Sequence, residues 1–283
     1  MTTTDLIGEA VRKLAAHGVP SPRADAERLL AFALGVPHTQ LATRLHEPGF
    51  REATLFRRLV ERRAAREPLA YIIGERAFRG LRLAVDRRAF IPRRGTEVVV
   101  ERCLAHLRGL TEPRVLDVGT GAGAIALAIA DEHPTARVTA VERSAEALAL
   151  ARENAVRTGL AERVELVEGD LFGGLEGPFD LVVSNPPYLL PAAVEGLEPE
   201  TRVYEPFGAL AGEGLRSAIA RGASEVLAPG GRLVLECGGG QGDPLAAELR
   251  SLGYEGVVTT LDESGRDRVV EGGLPLGYGA LAA

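Results

Sequence analysis

The sequence predicts an α/β protein: a doubly wound, Rossmann-like parallel sheet, preceded by a small all-helical domain and a β-hairpin linker. Three observations carry this. Before Thr96 the chain reads mainly as helices; after it, strand-length apolar runs alternate with helical stretches, as in a parallel sheet covered on both faces. In "RVLDVGTGAGAIALAIA" (114–130) a strand, a glycine turn and a helix follow one another. The apolar run 179–184 stops at Asn185-Pro186-Pro187-Tyr188, where two prolines without N–H groups cannot continue a ladder. A chain of 283 residues is long for one domain and comfortable for two. The expected division is 1–75 helical, 76–96 hairpin linker and 97–283 sheet domain.

Taken in order, Leu6, Val11, Leu14 and Ala15 fall on one helical face, and Gly18 closes that helix. "SPRADAERLLAFALG" starts a second, with Ser21 as N-cap and Pro22 at the first helical position, and Gly35 stops it. "ATLFRRLVERRAAREP" (53–68) is a further helix ended by Pro68. Its Arg57, Arg58, Arg62, Arg63 and Arg66, diluted by Glu61 and Glu67, read first as a solvated face and second as a surface that grips a protein. "AFRGLRLAVD" alternates about Gly80 as a short hairpin. Strands are then expected at 113–118, 137–141, 163–167, 179–184, 231–236, 255–260 and 267–271, with helices filling most of the gaps.

The composition, 46% hydrophobic and 25% charged, is ordinary for a globular protein. A net charge of −6 argues against a dedicated nucleic-acid binder, which carries a basic excess. Lys13 is the only lysine, so arginine supplies nearly all the positive charge. Cys103 and Cys237 are too few for a disulfide framework and read as buried thiols in a reducing compartment. The N-terminus lacks a signal-peptide pattern and no apolar stretch is long enough to span a membrane, so a cytoplasmic location is expected. His17, His38, His46, His106 and His133 are scattered without metal-ligand spacing, so no metal is expected.

The glycine turn is spaced Asp117-x-Gly119-x-Gly121-x-Gly123, with Thr120 and Ala122 between the glycines, and differs from the dinucleotide pattern at Ala124. Glycine lets the backbone approach a ligand closely, and the following helix offers its N-terminus. Glu142 ends the next strand about 20 residues on, where an acid can accept both ribose hydroxyls. Asp117 favours S-adenosylmethionine over a dinucleotide: an acid there offsets a methionyl ammonium but would repel a pyrophosphate. After the third strand of the sheet, Asp170 can meet an adenine amino group and Leu171 can cover the ring.

Asn185-Pro186-Pro187-Tyr188 forms a stiff, extended lip, because a residue before proline is driven to extended geometry. It lies at the C-terminal edge of a strand, where open α/β sheets bind ligands. Transfer of a methyl group to an amide or aryl nitrogen needs that poor nucleophile held in line. The Asn185 side-chain carbonyl and the Pro186 backbone carbonyl can accept from its two N–H groups, Pro187 fixes the geometry, and Tyr188 supplies an aromatic wall.

This quartet resembles that of the amino-methyltransferases. More closely, the chain resembles the peptide chain release factor glutamine methyltransferases along nearly its whole length, through "SPRADAERLL", "REPLAYIIGERAFRGL", "IPRRGTEVVVE", "LDVGTGAGAIALAIA", "SNPPYLLP", "VYEPFGAL", "PGGRLVLECGGGQ" and "DRVVEG". The resemblance implies a class I methyltransferase domain behind a small helical domain, S-adenosylmethionine as cofactor, and the glutamine of a release factor's Gly-Gly-Gln tip as acceptor. Carried over by position, Gly119 to Gly123, Glu142, Leu171 and Asn185 would hold the cofactor, and Asn185, Pro186 and Tyr188 the substrate amide. Glu205, in the matching Glu-Pro step, is expected to brace the lip. Neither direct nucleic-acid binding nor a membrane is expected, and the enzyme is expected to be a monomer. Two stretches depart from the family: Arg94-Gly95 stands where Pro-Glu is usual, and "ALAGEGL" (209–215) is short. A paralogue acting on another amide or amine, a nucleic-acid adenine methyltransferase and a non-catalytic binder of S-adenosylmethionine stay open on the residues alone. "GGGQ" (238–241) imitates the acceptor motif but is expected to be a turn into a helix.

Overall fold

The computed structural model describes residues 2–43 and 47–277; His46 lies outside them. The chain forms two compact units, Met1–Glu75 with Leu197–Tyr204, and Arg76–Gly196 with Glu205–Ala283.

The first unit contains α1 (Thr3–Ala16), α2 (Pro22–Ala33), α3 (Phe50–Ala64) and α4 (Leu69–Ile73). Leu6, Ala10 and Leu14 of α1 meet Leu29 and Leu30 of α2 and Phe56, Leu59 and Val60 of α3 in one core. Each such large side chain contributes roughly 1.5–3 kcal/mol on full burial. The apolar face is narrower than the sequence suggests, since Val11 is half-buried and Ala15 is exposed. Thr2 and Asp5 form a reciprocal capping box on α1. Ser21 does not cap α2 with its side chain; Pro22 sets that start, and the Ser21 carbonyl accepts from Asp25 N–H at 3.0 Å.

Of the five arginines in 53–68, Arg57, Arg58 and Arg62 are exposed, as a solvated face would have them, but Arg63 and Arg66 turn inward to carboxylates. Arg63 is buried and pairs with Asp25 at 2.8 Å and Glu200 at 2.7 Å. Arg66 reaches Glu200 at 2.5 Å and Glu198 at 2.6 Å, and Arg62 pairs with Glu67 at 2.6 Å. Burial alone would raise the Glu200 carboxyl, but hydrogen bonds from Arg66 and Arg63 hold it below its usual value. These pairs, with Tyr204 Oη donating to Ala65 O at 2.8 Å, tie α9 (Pro199–Tyr204) to the helices. Nothing in the local sequence places that segment there.

The larger unit opens with the expected hairpin, β1 (Glu75–Phe78) and β2 (Leu81–Ala84), followed by α5 (Glu97–Leu107). Then come β3 (Arg114–Val118), α6 (Ala124–Glu132), β4 (Arg137–Glu142), α7 (Ala145–Arg157), β5 (Val164–Glu168), β6 (Phe179–Ser184) and α8 (Pro191–Val194). After α9 the unit resumes with α10 (Leu215–Val226), β7 (Leu227–Glu236), α11 (Gly242–Ser251), β8 (Glu255–Leu261) and β9 (Asp267–Gly273). The strands form one sheet of order β5-β4-β3-β6-β7-β9-β8. Its first five strands are parallel. β9 runs antiparallel between β7 and β8, which the sequence reading did not anticipate. The short loop 262–266 is the reason, since a parallel return needs a crossover of a dozen or more residues.

Successive strand residues feed opposite cores. Leu181 and Val183 face the cluster with Phe78, Leu83, Val99 and Leu127, whereas Val182 faces that with Ile219, Leu245 and Leu249. Burial on both faces explains the nearly unbroken apolar runs. The order reverses between β3 and β6, and the crevice beyond their carboxyl ends is where such sheets take ligands. Among the described residues, no helix is long and apolar enough to cross a membrane.

Candidate active site

Four strand ends meet at that crevice. Gly119 N–H and Thr120 N–H donate to Val141 O at 2.8 and 3.0 Å, joining the loop after β3 to β4. Gly169 N–H donates to Glu142 O at 3.1 Å, joining β5 to β4. Ser184 Oγ donates to Val118 O at 2.6 Å, joining the end of β6 to the end of β3. The residues picked from sequence therefore share one edge of the sheet.

Within the loop, Glu142 accepts from Gly121 N–H through Oε2 and from Ser144 N–H through Oε1, each at 2.9 Å. It organises the loop at the carboxyl end of β4, and each carboxylate oxygen keeps a second lone pair. Gly119 and Gly121 have φ of +73° and +57°, and an added Cβ at either would meet nothing within 4 Å. The backbone is thus bare where a ligand would approach. Asn154, fully buried, donates to Ala122 O at 2.9 Å and Ala84 O at 3.1 Å and accepts from Ala84 N–H at 2.6 Å, clamping the loop to β2.

Asp117 is fully buried beneath the loop. Its Oδ2 accepts from the Thr120 hydroxyl at 2.7 Å and Ala126 N–H at 3.1 Å, so Thr120 also turns inward. Asp117 Oδ1 is buried without a hydrogen-bond partner. A lone buried carboxylate oxygen under a bare glycine loop suits a ligand that brings a donor or a cation.

Burial pushes the Asp117 carboxyl up to about 7, against hydrogen bonds from Thr120 and Ala126. The folded protein then holds a proton that an unfolded aspartate releases near pH 3.9. Because the native state binds more protons, this group favours folding most at the acid end. That contribution falls as pH rises from about 4 through about 7. Urea unfolding of Asp117→Asn is expected to show the variant gaining stability on the native protein across that window. A difference that stays flat with pH would mean that Asp117 is ionised throughout.

After β5, Asp170 is exposed and Leu171 half-buried, packed beside the second core. Leu171 has φ of +53°, a strained conformation for a bulky side chain and one that clusters at functional sites.

Asn185 follows β6 half-buried, and Pro186 is buried. Asn185 Nδ2 donates to Thr96 Oγ1 at 3.4 Å. The short segment 209–215 supports the lip: Leu189 N–H donates to Leu210 O at 3.2 Å, and Gly212 N–H to Leu189 O at 3.3 Å. A Cβ on Gly212 would lie 2.7 Å from Pro187 Cγ, so only glycine fits there. Gln241 donates to Tyr188 O at 3.3 Å, while its Oε1 accepts from Gly238 N–H at 3.0 Å and Arg216 at 2.8 Å. The "GGGQ" stretch is therefore a turn whose glutamine is engaged at both amide atoms. Glu205, expected to brace the lip, is buried and engages the 91–93 segment instead, accepting from Ile91 N–H at 3.0 Å and from Arg93.

The sequence reading passed over Thr96, Glu236 and Arg268. Glu236 ends β7 almost wholly buried; burial pushes its carboxyl up to about 7, opposed by a Thr96 hydrogen bond and the charges of Arg268 and Arg93. It was findable by the rule that picked Glu142, an acid closing an apolar strand at this edge. Burial also raises the Cys237 thiol to about 11, consistent with a packed rather than reactive cysteine. Among the described residues, no group of three or more His, Cys, Asp or Glu converges as a metal site.

The methyltransferase small domain family matches residues 93–237, and the PrmC N-terminal domain family matches residues 5–74. A release factor glutamine methyltransferase of Deinococcus radiodurans is 44% identical over 274 residues, covering 95% of this chain and 98% of that protein. One of Moorella thermoacetica is 42% identical over 275 residues, covering 95% and 97%. A crystal structure of a methyltransferase from Pyrococcus furiosus matches with a TM-score of 0.51 at 24% identity, over 69% of this chain and 90% of that one, and bears on the fold alone. With family matches to both units and near full-length relatives at this identity, the chain belongs to the release factor glutamine methyltransferases, a family of methyl-transferring enzymes.

Proposed function

We propose that this chain transfers a methyl group from S-adenosylmethionine to the side-chain amide nitrogen of the glutamine in the Gly-Gly-Gln motif of peptide chain release factors. The observation that carries the reading is Asn185-Pro186-Pro187-Tyr188 at the end of β6, beside the glycine loop at the switch point of the sheet. The relatives' activity supports the choice of acceptor.

S-adenosylmethionine, when bound, supplies an electrophilic methyl group on a sulfonium. On this reading the backbone of Gly119, Thr120, Gly121, Ala122 and Gly123 lies along it, and Glu142 accepts from its ribose hydroxyls. Asp117 offers its unpartnered oxygen towards the ammonium, Asp170 meets the adenine amino group, and Leu171 covers the ring. Asn185 Oδ1 and Pro186 O accept from the two N–H groups of the substrate amide, which sets its nitrogen in line; Pro187 stiffens the pair and Tyr188 walls it. An amide nitrogen is weakly nucleophilic, so the rate comes from positioning and from acceptors preorganised for the charge that develops on nitrogen. Residues 1–75 serve to hold the body of the protein substrate, supplying remote binding energy that orients the glutamine. Arg62, Arg63 and Arg66 are already paired, so the grip uses other parts of that unit. The net charge of −6 favours a protein acceptor over nucleic acid, and the enzyme works as a cytoplasmic monomer.

The test is incubation of the full chain with an intact release factor and isotope-labelled S-adenosylmethionine, read by mass spectrometry of the factor's peptides. One labelled methyl group on the motif glutamine is expected. Label on adenine of nucleic acid or on a small amine, with none on the factor, overturns the reading.

A further inference from the structure

One buried carboxylate is not used by the chemistry above. Glu205 is 5% exposed and stands where the chain rejoins the larger unit after α9. A charge taken out of water is costly unless it is paired and hydrogen-bonded. Here one oxygen accepts from Ile91 N–H at 3.0 Å and the other from Arg93, whose guanidinium lies over the Phe90 ring at 4.4 Å. Residues 91–93 belong to no helix or strand, so Glu205 supplies a partner that a backbone ladder does not.

From this contact two short paths lead to the lip. Along one, Thr96 N–H donates to Arg93 O at 3.1 Å, and Asn185 Nδ2 donates to Thr96 Oγ1 at 3.4 Å. Along the other, a tight turn follows Glu205: Ala209 N–H donates to Pro206 O and Leu210 N–H to Phe207 O, each at 3.0 Å. Leu210 O then accepts from Leu189 N–H at 3.2 Å, and Gly212 N–H donates to Leu189 O at 3.3 Å with Gly212 packed against Pro187. One path holds the lip at Asn185 and the other at Pro187 and Leu189. Glu205 joins the two.

We infer that Glu205 is a positioning residue for methyl transfer, locking the two supports of the lip to each other. The inference rests on the reading that Asn185 and Pro186 hold the substrate amide. Prolines stiffen the lip from within, but neither Pro186 nor Pro187 has an N–H with which to tie it to its surroundings. The place of the lip is therefore set by what holds its ends. The glycine loop is fixed separately, by Val141 O and by the Asn154 side chain. If the two supports moved independently, Asn185 Oδ1 and Pro186 O would shift against that loop, and so against a cofactor lying along it. Gln241, donating to Tyr188 O at 3.3 Å, steadies the middle of the segment and leaves its ends to these paths. A misplacement of about 1 Å costs on the order of 100-fold in rate when a nucleophile must be held in line.

Glu205→Leu fills much of the same space without an acceptor. In the full chain it is expected to lower kcat on the intact release factor by about tenfold to a hundredfold. S-adenosylmethionine affinity should stay within about twofold, because the glycine loop keeps its own hydrogen bonds. Glu205→Gln keeps an oxygen for Ile91 N–H but loses the charge that faces Arg93, and should fall between, with kcat about threefold to tenfold below native. Native-state amide exchange is a second readout that needs no acceptor. Leu189 N–H should exchange about tenfold faster in Glu205→Leu, and should gain more than Leu116 N–H in β3, because the change loosens the lip before the sheet. Should Glu205→Leu not fold, Glu205→Gln carries both measurements. Native kcat in the folded variant, or equal acceleration of Leu189 and Leu116, overturns the inference, as does an unchanged Leu189. If the native protein leaves release factors unmethylated, it is the substrate reading that fails, and exchange at Leu189 still decides whether Glu205 sets the lip.

Discussion

Asn185→Ala is expected to leave the protein folded and able to bind S-adenosylmethionine while lowering methyl transfer by at least about 10²–10³-fold. That range is the effect of removing one preorganised polar group from a site where charge develops. The substitution deletes Oδ1, one of two acceptors for the substrate amide, and leaves the Pro186 carbonyl alone to hold a nitrogen that must also be aimed. The fold should tolerate it. Asn185 is half-buried, and beyond the contact with Thr96 at 3.4 Å its loss costs about one hydrogen bond, on the order of 1 kcal/mol. Single-turnover transfer from labelled S-adenosylmethionine separates chemistry from product release, and calorimetry reports cofactor affinity. A variant with near-native single-turnover rate would show that the quartet is only a rigid turn.

That the lip was legible at all follows from proline chemistry. Two residues without N–H groups must end a ladder, and the apolar run before them had to be a strand buried on both faces. The glycine loop and Glu142 were readable for a similar reason, since each marks a place where backbone or charge meets the strand edge of the sheet. What stayed hidden depends on contacts between distant residues. Arg63 looks like part of a solvated stripe in one dimension because its partners, Asp25 and Glu200, lie 38 and 137 residues away. Helix periodicity says which face is apolar, not whether a charge on the rim finds an opposite charge. The antiparallel β9 was hidden because alternation of side chains carries no strand direction; the loop 262–266 did carry it. The two family departures were visible as departures, but their meaning needed coordinates: Gly95 lies under Arg268 and Gly212 under Pro187. Asp117 stands near the end of its strand, as spacing predicts, yet its engagement with Thr120 and Ala126 could not be read from spacing.

Arg63→Ala is expected to destabilise the helical unit by roughly 3–5 kcal/mol, the cost of breaking a buried ion pair from one side. The Arg63 side chain is only 6% exposed, and its guanidinium serves Asp25 and Glu200 together while donating to Glu67 O at 3.2 Å. Alanine strands Asp25 as a buried carboxylate with its cation gone, and Glu200 keeps only Arg66. Arg63→Lys should recover only part of the loss. A single ammonium carries the charge but not the planar fork that reaches two carboxylates at once. If desolvation is what makes the broken pair costly, Arg63→Met combined with Asp25→Leu should be more stable than Arg63→Ala, because the stranded charge goes with its partner. Urea denaturation followed by circular dichroism, with midpoint and slope fitted separately, reads all three. A loss of less than about 1 kcal/mol for Arg63→Ala would class the pair with exposed salt bridges. It would also return Arg63 to consideration as part of the surface that holds the protein substrate, because a side chain that is not needed to bind α9 is available to bind something else.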